Sequence, residues 1–158
     1  MAYLIDGNNL LGRLAAHELR DRAGRDGLVV RLLAFQRVTR TRIQLVFDGR
    51  PADEQILVLV NAKFTIRYPD QGQSADDVIK DIIERQTDKR RFFVVSSDRD
   101  IRDFARKHGV LSITSDDFAG QLKAALKERK KQRELEKRPE TPTRLEIDLW
   151  DEVFKAKR

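Results

Sequence analysis

Three apolar runs in this chain stop at an aspartate, and that recurrence constrains the fold more than any other feature. Tyr3-Leu4-Ile5 leads into Asp6-Gly7-Asn8-Asn9. Ile43-Gln44-Leu45-Val46-Phe47 leads into Asp48-Gly49, and Phe92-Phe93-Val94-Val95 into Ser96-Ser97-Asp98. Short runs rich in β-branched and aromatic residues, bounded by turn formers, predict buried strands. Between them apolar residues return at helical spacing. Alternating strands and helices predict an α/β fold of three layers, a mostly parallel central sheet with helices on both faces. Ligands bind at the carboxyl ends of strands in such sheets. Parallel strands would therefore project Asp6, Asp48 and Asp98 from one edge.

In chain order, the first strand predicts a tight turn at Gly7 and a helix from near Asn9 to Ala23, broken at Gly24 and Gly27. Leu28 to Val38 is a second helical pattern, with Leu28, Leu32 and Phe35 on one face. Asp48-Gly49-Arg50-Pro51 is a turn. Ile56 to Val60 suits either a strand or a short buried helix, and periodicity does not choose between them. Phe64 to Tyr68 alternates as a strand does. Ser74 is an N-cap with Asp77 three residues on, a capping box with Asp in place of Glu, and Val78, Ile82 and Ile83 form the inward face of the helix that follows. Asp98 to Lys107 is helical, with Ile101, Phe104 and Ala105 inward and Gly109 as its stop. Val110 to Ile113 is a short strand. A last long helix begins at Ser115 or Asp116 and runs inward-facing through Leu122 and Leu126 toward Leu135.

A chain of 158 residues suffices for one domain with a core. Its charged fraction of 37%, with no apolar run of the roughly 20 residues a spanning helix needs, argues against a membrane protein. No basic region followed by a long apolar stretch opens the chain, so no signal peptide is expected. With no cysteine and two histidines, disulfides, thiolate metal sites and His-rich zinc sites are excluded, and a cytoplasmic location is expected. The net charge of +6 favours a polyanionic partner. Most of it lies between Lys123 and Arg138, where eight basic residues face three acidic ones. Pro139 and Pro142 end this basic stretch. The tail from Leu145 to Phe154 is apolar again, with Trp150 and Phe154 four apart as on one helical face, and is expected to dock on the domain.

The chemistry lies in the carboxylates Asp6, Asp48, Asp76, Asp77, Asp98 and Asp100. Singly, most have ordinary explanations. Asp48 could start a turn, Asp76 and Asp77 could favour a helix dipole, Asp98 could be an N-cap and Asp100 a first-turn acid. Asp6, between an apolar run and Gly-Asn-Asn, resists such an account. Together, carboxylates gathered at one edge repel one another unless a cation or basic partner neutralises them. Oxygen donors without Cys or His favour Mg²⁺ or Mn²⁺, ions that serve phosphodiester hydrolysis. No Gly-rich loop ending in Lys-Ser/Thr is present, so a P-loop NTPase is excluded. Asp6-Gly7-Asn8 lacks the second aspartate that a haloacid-type phosphatase uses. Ser96 and Ser97 suit hydrogen bonding to the acids better than nucleophilic attack, because no histidine lies nearby in sequence.

Four motifs in this order, Ile-Asp-Gly-Asn-Asn at 5–9, Val46-Phe47-Asp48, Ser74-Ala75-Asp76-Asp77-Val78-Ile79 and Val95-Ser96-Ser97-Asp98, resemble the YacP-like group of NYN-domain proteins within the PIN-like nuclease superfamily. The resemblance covers residues 2–126, and the Trp150 tail is similar to that group's C-terminus. It implies a PIN-like nuclease domain over 1–126 and a basic helix extension with a docking tail over 127–158. It further implies a metal-dependent endoribonuclease cleaving single-stranded RNA, with ribosome-bound mRNA as a candidate substrate. By resemblance the catalytic acids are Asp6, Asp76 and Asp98, and Asp6, Asp48, Asp76, Asp77 and Asp98 would hold Mg²⁺ or Mn²⁺. Asn9, Ser97 and Asp100 are supporting residues. Asn8 stands where an aromatic residue is common in the family. Lys123, Lys127, Lys130 and Lys131, with Arg50 and Arg99, are candidates for RNA contacts. Two other readings compete: an RNA-binding domain of this fold without turnover, and a PIN-type toxin.

Overall fold

A computed structural model describes residues 1–14, 24–49 and 61–137. Among them are five strands and five helices: β1 (Ala2–Asp6), α1 (Gly7–Arg13), α2 (Arg25–Thr39), β2 (Arg42–Val46), β3 (Phe64–Arg67), α3 (Ala75–Arg85), β4 (Phe92–Val95), α4 (Arg99–Lys107), β5 (Leu111–Ile113) and α5 (Ser115–Lys137). By internal contacts the chain divides into Met1–Leu126 and Lys127–Arg158. No described helix is long and apolar enough to cross a membrane.

The strands form one parallel sheet in the order β3-β2-β1-β4-β5. Successive strand residues point to opposite faces, and the two sets fill two cores. Tyr3, Ile5, Ile43, Leu45 and Val95 pack with Leu10 and Leu14 of the first helical segment, with Leu28, Leu32 and Phe35 of α2, and with Phe118 and Leu122 of α5. Leu4, Val46, Phe92 and Val94 pack with Ile79 and Ile83 of α3 and Ile101 and Ala105 of α4. The expected three-layer α/β architecture is therefore present. The fully buried strand residues explain why these runs read as continuously apolar rather than alternating.

Several local expectations differ from the structure. The first helix begins at Gly7 rather than near Asn9, and Gly7 is its first residue, not a turn; Asp6, in extended backbone, is its N-cap. The reason for glycine is space. A Cβ there would lie 2.7 Å from the Phe47 ring and 2.8 Å from the Val46 carbonyl oxygen. Gly24, at φ +54°, stands just before α2 as its N-cap, whereas Gly27 lies buried inside α2 and breaks no helix there. On α3 the buried residues are Ala75, Ile79 and Ile83, with Val78 and Ile82 half-buried, so its inward stripe runs at steps of four through Ala75. Leu135 is exposed rather than inward-facing. The continuation of the first helix to Ala23, the end of the Asp48 turn, the Ile56–Val60 segment, Arg50 and the tail around Trp150 lie outside the described residues.

Gly7→Ala is expected to destabilise the fold by about 1–3 kcal/mol, because the Val46 carbonyl is backbone and cannot rotate away from an added methyl. Urea unfolding of the two proteins measures this. A difference within error would mean that β2 and α1 separate at little cost.

Candidate active site

The carboxyl ends of β1 and β4 are neighbours in the sheet, with Ile5 opposite Val95. The chain therefore brings Asp6 and the Ser96-Ser97-Asp98 turn side by side. Asp6 is 7% exposed and Ser96 is fully buried. The Ser96 hydroxyl donates to Asp6 Oδ2 at 3.0 Å and accepts from the Asp98 backbone N–H at 3.1 Å. Asp6 Oδ1 lies 3.5 Å from the Asn9 backbone N–H, at the outer limit of a hydrogen bond. One serine thus links the two aspartates.

Asn9 serves the next layer of the same edge. Its Oδ1 accepts from the Ser97 backbone N–H at 2.8 Å and from the Ser115 hydroxyl at 2.6 Å, and the Ser97 hydroxyl accepts from the Ser115 backbone N–H at 3.0 Å. Asn9 therefore ties α1, the β4–α4 turn and the start of α5 together. Ser96, buried, takes the hydrogen-bonding role on an acid that the sequence suggested for it. Ser115, also buried, reads in the sequence only as a helix start, and its link to Asn9 had no local signal, because a serine at a helix start is too common a pattern to single out.

Asp98 is the N-cap of α4, its side chain accepting from the N–H groups of Asp100 and Ile101 at 2.8 and 3.4 Å. Asp76 enters from α3. Ser74 and Asp77 form the capping box reciprocally, at 3.1 and 3.0 Å, which leaves the Asp76 carboxylate outside that pair. The three acids lie close enough for their charges to act on one another. Burial raises the Asp6 pKa above the usual aspartate range, and the charges of Asp76 and Asp98 raise it further against the hydrogen bonds from Ser96 and Asn9. Asp76 is also raised, first by burial and then by Asp98, with Lys80 opposing. Even so, among the described residues no three Asp, Glu or His side chains converge as a ready-made ion-holding group.

The remaining candidates are placed differently. Asp77 is committed to the capping box, and its carboxyl is held below the usual range by the Ser74 backbone and hydroxyl. Asp48 lies beyond the end of β2, where Arg25 Nη2 bonds it at 2.5 Å; the same nitrogen reaches Asn8 Oδ1 at 3.3 Å, and Nη1 donates to the Gly49 carbonyl at 2.6 Å. The guanidinium also stacks over the Phe47 ring. Asp48 thus faces an arginine. Asp100 is paired with Lys80 at 2.6 Å. Arg99 and Lys123 are exposed, as are Lys127, Lys130 and Lys131 within the second unit. A cavity of about 840 Å³ beside α3 is lined by Tyr68, Asp77, Lys80 and Phe104 among others, and does not include Asp6 or Asp98.

Residues 3–157 match the YacP-like NYN domain family. The chain belongs to that family. NYN domains of this kind are nuclease-type, and RNA is the substrate class the family suggests. The fold is similar to two crystal structures of Rae1 (YacP) from Bacillus subtilis. One superposes with a TM-score of 0.68 at 20% identity, covering 99% of this chain and 91% of that one. The other, a W164L mutant, gives a TM-score of 0.67 at 18% identity and covers 89% and 87%. No curated protein matches the chain in sequence. The family assignment covers the resemblance read from the motifs, and the structural similarity confirms the α/β architecture of a PIN-like domain.

Proposed function

We propose that this protein is a metal-dependent endoribonuclease that acts in the cytoplasm and cleaves single-stranded RNA internally, with ribosome-bound mRNA among its substrates. The observation that carries the reading is the buried Asp6 carboxylate, held at the end of the central strand against the charges of Asp76 and Asp98. Burying a carboxylate beside two others is unfavourable in water, and a hard cation relieves it. The donor set is oxygen only, which fits Mg²⁺ or Mn²⁺. Asp6, Asp76 and Asp98 would hold the ion. When bound, such an ion lowers the pKa of water and stabilises charge on the attacked phosphate.

The chain's own residues divide the remaining work. Ser96 orients Asp6 Oδ2 and ties it to the Asp98 turn. Asn9 holds that turn against α1 and α5. Asp77 starts the helix that presents Asp76. Lys123, Lys127, Lys130 and Lys131 would neutralise RNA phosphates without reading the bases.

The test is incubation of the protein with end-labelled single-stranded RNA in Mn²⁺, in Mg²⁺ and in EDTA. Internal products that need the metal are expected. The competing reading is an RNA-binding module without turnover, favoured by the lack of a ready-made group of three ion-holding side chains among the described residues. It gains if RNA is bound in EDTA and left intact in either metal.

A further inference from the structure

The edge of the sheet next to the acids carries a groove that the reading above does not use. It lies between α4 and the edge strand β5, has a volume of about 540 Å³, and is lined by Ser97, Arg99, Arg102, Arg106, Leu111 and Ser112. Arg99, Arg102 and Arg106 are three and four residues apart, so they share one face of α4 over about 10 Å of helix. Arg99 and Arg106 are exposed and Arg102 is half-buried. Arg102 Nε donates to the Ser112 hydroxyl at 3.3 Å, a bond that leaves four of its five guanidinium N–H donors outside it. Arg106 pairs at 2.7 Å with Asp103, which also lines the groove, in an exposed ion pair worth little by itself. Leu111, 60% exposed, adds an apolar patch on the β5 side.

The position of the groove gives this row its meaning. Ser97 stands at one end; its backbone N–H is bonded to Asn9, and its neighbour Ser96 donates to Asp6 and accepts from the Asp98 backbone N–H. Three arginines therefore lead along α4 to the carboxylates. We propose that this groove is the track on which the RNA backbone is held as it enters the acidic site. Phosphates suit the row because guanidinium groups bind phosphate oxygens in fork geometry. Leu111 offers a base a place out of water. The inference rests on the RNA-acting reading and names where the substrate runs. Lys127, Lys130 and Lys131, proposed above as RNA contacts, are left in place in the test.

The experiment is fluorescence anisotropy of the full chain with a short labelled oligouridine in EDTA, where no cleavage occurs, over a series of KCl concentrations. The probe protein is the variant Arg99→Gln/Arg102→Gln/Arg106→Gln, with its Lys counterpart at the same three positions as control. At roughly 0.7 counterions per phosphate on single strands, losing three contacts flattens the logarithmic salt slope by about 2 and lowers affinity at least tenfold at moderate salt. The triple Lys variant is expected to recover most of the slope, since it keeps the charges. Unchanged affinity and slope in the Gln variant, with wild-type binding intact, would overturn the track alone; a groove that serves a protein partner gives that result. A wild-type protein that binds no oligouridine would overturn the track together with the RNA reading. Thermal melts of both variants separate lost binding from lost fold.

Discussion

Asp76→Asn is expected to lower metal-dependent RNA cleavage by a factor on the order of 10² to 10³ or more, the scale seen when one preorganised electrostatic group is removed from a reaction centre. The variant should fold as the wild type does. The start of α3 is secured by the reciprocal bonds of Ser74 and Asp77, and its inward residues Ala75, Ile79 and Ile83 are untouched. Asparagine keeps the shape of aspartate. The lost charge forfeits a helix-dipole contribution of at most about 1 kcal/mol, and removing repulsion from Asp98, Asp100 and Asp77 works in the opposite direction. Cleavage by purified wild type and variant, with a thermal melt of each, decides the matter. A variant that melts normally and still cleaves at near the wild-type rate would remove Asp76 from the mechanism and leave α3 a structural role.

Asp6→Asn is expected to do two things at once: to abolish the stabilisation that Mn²⁺ gives the wild type, and to raise the stability of the metal-free protein at neutral pH. Burial and the neighbouring acids raise the pKa of Asp6. A carboxyl whose folded pKa lies above its unfolded value binds its proton more tightly when folded. Ionising it costs the native state stability. That cost is absent below the unfolded pKa, grows as pH rises between the two values, and is complete above the folded one. The wild type should therefore fall behind Asp6→Asn as pH rises out of the ordinary aspartate range, and the gap should level off above the folded pKa. Asparagine can keep its oxygen toward Ser96 and accept the 3.0 Å bond, while the contact with the Asn9 N–H, at 3.5 Å, is too long for its loss to weigh much. With Mn²⁺ at about a hundred times its dissociation constant, the wild type should gain about 2.7 kcal/mol, and the variant little. Melting curves across pH, with and without Mn²⁺, give both readouts. A metal-free variant less stable than the wild type at neutral pH, still stabilised by Mn²⁺, would show that Asp6 is a structural cap.

The two predictions draw on different sources. Asp6 stood out in the sequence because a charge directly follows an apolar run before Gly-Asn-Asn. The strand–helix alternation, the parallel sheet and the Ser74–Asp77 capping box were also legible there. Each depends on local periodicity or on contacts within one turn of chain, and those survive in a one-dimensional reading. That Ser96 would hydrogen-bond an acid was legible, but which partner each acid meets was not. Ser96 on Asp6 spans 90 positions, and Ser115 on Asn9 spans 106. Asp48, which reads as one of the strand-end acids, is met by Arg25 across 23 positions. Gly7 reads as a turn because glycine usually marks one, yet its place is set by the ring of Phe47 on the neighbouring strand end. The alternation of apolar runs and helices determined which carboxylates could reach one sheet edge. Which of them meet, and which are taken up by an arginine, a lysine or a helix cap, depended on strand order and register, because only these set the distances over which charges and hydrogen bonds act.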